Sequence, residues 1–422
     1  MTTAAFLLVL VARLTDSTSC QYGEWSSPRA LDKVPRGSMV RDPWLALDRD
    51  RGYVVGNDVL WFDESPVRPR PFIATTLDGR DIGKPDGEFW FVRPRAVLDT
   101  RGALHVIWAE PDTHPAMIPA RVWSSTRYRL TSLWSATYDP RHHWSPPTLI
   151  LDRPRGDIWW RGDFATATTD SAGHVIVAVV ANGRLLLLVQ QNSGWRTDTL
   201  PVKALDYPEV VARADGPVSI GYIGPDPAGG ASNSIMFVRS WDGGLTWLPP
   251  QAVYRAEQPA PQDVKLLAGG GDTLYLLWTG TLGGGVERGA IHLAISGDGG
   301  AHWAIRDTLP VTGAHLRAAI DGCGGLQVSY VTTTVPAGTA EPRTEEEMFA
   351  APRRYELWYA RWDGAWLPPR SPFPDFNCVE MDLRSDTGGD LFLFWSARPV
   401  GVTGRDVPFR PFVARLTVGQ RP

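Results

Sequence analysis

Lysine is nearly missing: the chain has 4 lysines against 38 arginines in 422 residues. No charge of one sign dominates. The net charge is −4 and 21 % of residues are charged, which leaves no basic face for nucleic acid and no acidic tail. Cysteine is scarce, at three residues, so they cannot all pair with one another. No Cys/His cluster has the spacing of a zinc site, and His142-His143 reads as a solvated turn. No metal and no cofactor is expected. The glycine runs Gly283-Gly-Gly285 and Ala228-Gly-Gly230 precede no helical pattern, so they are loop glycines and not phosphate cradles. Long apolar runs are absent as well. The longest opens the chain, Ala4 to Ala12, and is too short to span a membrane. It has the length of a signal-peptide core but no charged residue before it. Residues 1–19 thus read as a signal peptide or an unordered N-terminus, and 20–422 as one domain. The expected location is secreted or periplasmic, with envelope anchoring through Cys20 as a weaker reading.

Tryptophan is abundant, at 19 residues, and glycine and proline number 42 and 36. They fall in repeats. Ser240-Trp-Asp-Gly-Gly-Leu-Thr-Trp247 returns as Ser296-Gly-Asp-Gly-Gly-Ala-His-Trp303. Ser and Asp can hydrogen-bond to their own turn, and Gly supplies the positive φ. Shorter forms occur at Arg361-Trp-Asp-Gly-Ala-Trp366, at Asn192–Trp195 and at Glu24-Trp25. A broader pattern recurs seven times: an apolar strand, an Asp, a turn, and a second apolar strand. Its marker aspartates are Asp48, Asp99, Asp170, Asp215, Asp272, Asp321 and Asp386. Short alternating strands with turn signals and no helical period mean an all-β chain. Four strands per repeat, arranged radially, make a β-propeller. The count is seven blades, with six as the alternative. The last repeat runs out of chain after its third strand, so residues 24–32 are expected to supply the outer strand that closes the ring. Cys323 and Cys378 fall near inner strands of adjacent repeats; a disulfide between them and two buried thiols are both open readings.

The topology directs function to one face. Loops from second to third strands are long, as at 57–71, 110–132 and 332–353, and they share the top face with the starts of the inner strands. Those starts carry Arg41-Asp42, Arg95, Tyr207 with Glu209, Asp263 with Lys265, His315 with Arg317, and Glu380 with Asp382. Such charges must be paired or solvated. A ligand site and a water-filled channel lined by ion pairs are equally weighted outcomes.

The Ser-x-Asp-x-Gly-x-x-Trp turns resemble the Asp box, or BNR repeat, of the sialidase superfamily. That resemblance implies a propeller, with its boxes as structural turns on the bottom face. It also implies an exported glycoside hydrolase acting on anionic glycans. Arg41-Asp42-Pro43 is similar in layout to the family's Arg-Ile-Pro motif, so Arg41, with Asp42 beside it, is the implied carboxylate binder. Arg95 and Arg317 are candidates for the two further arginines, because a guanidinium donates two parallel hydrogen bonds to a carboxylate. The family's Tyr–Glu nucleophile pair, an exception among glycosidases, would fall on Tyr207 and Glu209. Its acid would be Asp58 or Asp63. The competing reading is a non-catalytic propeller that binds a glycan or a protein partner through its top loops.

Overall fold

The computed structural model describes residues 20–31, 39–49, 51–59, 72–89, 91–111, 128–152, 157–158, 164–192, 194–214, 216–229, 233–255, 261–281, 289–311, 315–334, 354–400 and 409–420. Among them every regular element is a strand, and the strands form seven antiparallel sheets. The innermost strands are Met39–Leu47, Val92–Leu98, Ala165–Thr169, Asp206–Ala212, Gln262–Ala268, Leu316–Ile320 and Phe376–Ser385. Each packs against the next, and the seventh packs against the first. The sheets therefore form a ring, a seven-bladed β-propeller, and the six-bladed alternative is set aside. Residues 1–19, including the expected signal peptide, lie outside the described residues, as do most of the long top-face loops.

Closure comes from the N-terminus, four residues earlier than the sequence suggested. Cys20–Trp25 pairs with Arg410–Gln420, the third strand of blade 7, and Arg29–Ala30 adds a short second contact. The side chains of this closing strand engage blade 6. Trp25 meets Tyr359 edge-on at 5.4 Å, and the Arg361 guanidinium lies 4.0 Å over the Tyr22 ring. Cys20 forms a disulfide with Cys323, in the first turn of blade 6. Cys378 is a buried free thiol. The envisaged Cys323–Cys378 bond is thus replaced by one between closing strand and neighbouring blade, and Cys20 is engaged there.

The repeat signal has a local physical cause. After the inner strand of blades 2, 3 and 6, Asp99, Asp170 and Asp321 each accept the amides two and four residues on, at 2.8–2.9 Å. One carboxylate oxygen thus caps the turn into the second strand. Between third and fourth strands, Ser240 Oγ accepts Gly244 N at 2.8 Å and donates to Asp242 Oδ1 at 2.7 Å. Asp242 in turn accepts the Thr246 amide and hydroxyl. Ser296, Asp298, Gly300 and His302 repeat the arrangement in blade 5.

These turns also join blades. A Cβ on Gly300 would lie 2.3 Å from the Phe237 ring of blade 4, and one on Gly244 2.4 Å from Leu187 of blade 3. The closing Trp303 packs edge-on against Phe237 at 5.0 Å. Trp144 of blade 2 meets Phe72 of blade 1 in the same way. In blades 2 and 5 the indole ahead of the fourth strand therefore lands on the third strand of the preceding blade. Second strands are buried throughout, as in Val175–Ala181 and Val218–Gly224, because both faces carry a neighbouring sheet.

Candidate functional site

The inner strands begin irregularly. Register breaks fall between Arg41 and Trp44, Val92 and Arg95, Asp206 and Glu209, and Gln262 and Lys265. Arg93, Tyr207 and Asp263 adopt φ of 46°, 50° and 47°, a left-handed conformation that costs a side-chain-bearing residue about 1–2 kcal/mol. A bulge of this kind re-aims the side chains that follow it. Here it turns Arg95, Glu209 and Lys265 toward the seams between neighbouring inner strands.

At those seams the charges meet one another. Lys265 Nζ of blade 5 donates to Glu209 Oε1 of blade 4, and Thr166 Oγ1 of blade 3 reaches Glu209 Oε2 at 3.4 Å. Arg95 of blade 2 donates through Nε to Ala165 O of blade 3 at 2.9 Å and lies 4.7 Å over the Trp44 ring of blade 1. Arg384 of blade 7 approaches the same ring at 4.0 Å. Asp382, fully buried, is the hub of the closing seam. It accepts the Leu45 amide of blade 1 at 2.7 Å and Arg384 Nε at 3.2 Å, and its other oxygen is 3.6 Å from Arg317 Nε of blade 6. Asp263 of blade 5 accepts the His315 amide of blade 6 at 3.0 Å. Polar or ionic contacts thus bridge the seams around the ring.

The expected site residues are distributed along this relay. Arg95 is 4 % exposed and Arg317 contacts Asp382, at separate seams. Glu209 is held by Lys265 and Thr166. The Tyr207 ring sits in the apolar cluster of blades 4 and 5 with Val264, Leu266 and Trp278. The backbone of blade 1 places Asp58 opposite Val40 and Arg41 opposite Asn57, one step apart in the ladder. The side chains of Arg41, Asp42 and Asp58, and all of Asp63, lie outside the described residues. Sequence reasoning missed Trp44 as a platform between two guanidinium groups, and it missed Arg384. Their signal was alternation: Trp44 and Arg384 stand on inner strands whose charges had been sought only at the starts. Among the described residues no group of His, Cys, Asp and Glu forms a metal site. No helix long and apolar enough to cross a membrane occurs among them.

No protein-family model matches the sequence, and no curated protein matches it. Solved structures are similar to it. They include a protein of unknown function from Dyadobacter fermentans, at 13 % identity and TM-score 0.46, covering 80 % of this chain and 96 % of that one. An α-L-arabinanase from Penicillium chrysogenum is 12 % identical at TM-score 0.43, with 77 % and 92 % covered. The NanB sialidase from Streptococcus pneumoniae is 10 % identical at TM-score 0.44, with 93 % and 70 % covered.

Proposed function

We propose that the chain is an exported propeller that binds a glycan through its top face, its ring serving as scaffold. One observation carries this reading. The described residues to which the sialidase resemblance would give a site role make contacts between blades: Glu209 with Lys265, Arg95 with Ala165, and the Tyr207 ring in the cluster of blades 4 and 5. Both carboxylate oxygens of Glu209 are engaged across the seams, by Lys265 and Thr166. Export is supported by the Cys20–Cys323 disulfide, a bond that persists in oxidising compartments.

A sialidase-like hydrolase acting on anionic glycans is the second reading. The observation that favours it is the ladder position of Arg41 and Asp58, adjacent at the top of blade 1. One assay separates the two. Wild type and Arg41→Ala are offered fluorogenic sialosides and a panel of other glycosides, and glycan binding is measured in parallel. The scaffold reading expects glycan binding with no release of the fluorophore. Release by wild type that Arg41→Ala abolishes would establish the hydrolase instead.

A further inference from the structure

Blade 3 departs from its neighbours on the bottom face. Its third and fourth strands stay paired as far as Gln191 and Gly194. Blades 4 and 5 use the long Ser-x-Asp-Gly-Gly turn at this point. The side chains differ too. In blade 4 the strand end carries Arg239 and the turn Trp241. The Arg239 guanidinium stacks on Trp241 at 3.8 Å and donates to Asp298 O and Gly299 O of blade 5, which fills that junction. Blade 3 has Val189 and Gln191 in the corresponding places. The junction of blades 3 and 4 consequently holds a cleft of about 520 Å³, within the size range of small-molecule sites.

The groups in the cleft define what it takes. Asp242 and Arg196 are part of its wall, but their charges are already engaged: Asp242 by its own turn, Arg196 by Asp198 and by Gly243 O. His174 meets Asp170 through Nδ1 at 3.0 Å, which leaves Nε2 to hydrogen-bond a ligand. The amides of Gln191 and Asn192 offer donors and acceptors without net charge. Leu245, 66 % exposed on the overhanging turn of blade 4, supplies an apolar shelf. Neutral hydrogen-bonding groups beside an apolar ledge suit a molecule with hydroxyls on its rim and C–H groups on its face. We propose that this cleft is a binding site for a neutral mono- or disaccharide, separate from the top face.

The test is calorimetric titration of the full chain with glucose, galactose, arabinose, rhamnose and cellobiose. Binding of at least one is expected. His174→Ala should weaken it about tenfold, equivalent to roughly 1.4 kcal/mol, the scale of one hydrogen bond. Val189→Arg with Gln191→Trp recreates the filled junction of blade 4 and should abolish binding, with the melting temperature reporting an intact fold. If that double variant does not fold, Asn192→Ala serves in its place, with binding again weakened. Arg41→Ala should leave this binding unchanged. The inference is overturned if no sugar of the panel binds, or if binding survives the cleft changes. Binding lost in Arg41→Ala but kept in the filled variant would also overturn it, while sparing the top-face reading.

Discussion

His105 of blade 2 lies between Asp99 and Thr137, with Nε2 3.3 Å from the carboxylate and Nδ1 3.1 Å from the hydroxyl. The order of groups is that of a hydrolytic triad, yet blade 6 shows its structural purpose. There Asp321, Gln327 and Tyr359 occupy the same relay with no base. Burial of the ring is the larger influence and lowers the His105 pKa, against the opposing pull of Asp99. The unfolded chain therefore binds the proton more readily. Stability from this group is present above the unfolded value of about 6.5 and is lost as pH falls from there toward the lower folded value. Asp99 is shifted down as well: burial alone would raise it, but the Ala103 amide, Arg101 and His105 outweigh that. Its contribution disappears only below about pH 4. His105→Gln keeps the relay in the blade 6 form. Urea denaturation at pH 7.5 and 5.5 should show a smaller acid loss for the variant than for wild type. Equal losses would show that His105 does not titrate across this window.

The Ser-x-Asp-Gly-Gly turn is the element that carries most of the sequence signal, and it acts between blades. Gly243 and Gly300 both have positive φ, at 70° and 95°, but differ in surroundings. A Cβ at 243 meets nothing within 4 Å, whereas one at 300 collides with Phe237. Gly243→Ala should cost about 1 kcal/mol from backbone strain alone. Gly300→Ala adds overpacking and should cost about 2–4 kcal/mol. Equal melting temperatures for the two would remove the inter-blade role of the turn. The same turns explain what was legible in the sequence. Asp99, Asp170 and Asp321 bond within four residues, so their spacing writes the repeat directly into the chain. Blade 5 shows the limit. The spacing there points to Asp272 as marker, but the turn begins at Gly269, and Asp272 faces Arg213 of blade 4. The partner of Cys323 was beyond reach because 303 residues separate it from Cys20 and only ring closure brings them together. Charged starts of inner strands could be read, but not their partners, which depend on register breaks at Tyr207-Pro208 and Asp263-Val264.

At the scale of the molecule, seven sheets must close without an exposed edge, and the relay along the inner strands is the means by which neighbours are matched. Glu209 and Lys265 have side chains only 12 % and 9 % exposed. Removing one partner of such a pair leaves a buried charge uncompensated and typically costs about 3–5 kcal/mol, whereas replacing both with apolar groups is often neutral. This follows if the charges hold the ring together; a catalytic base has no such dependence on its neighbour. The decisive measurement is therefore a double-mutant cycle in urea on Glu209→Leu and Lys265→Met. The ring account predicts that each single change is strongly destabilising and that the double variant is no less stable than either, a coupling of at least about 3 kcal/mol. Losses that simply add, within about 0.5 kcal/mol, would contradict it.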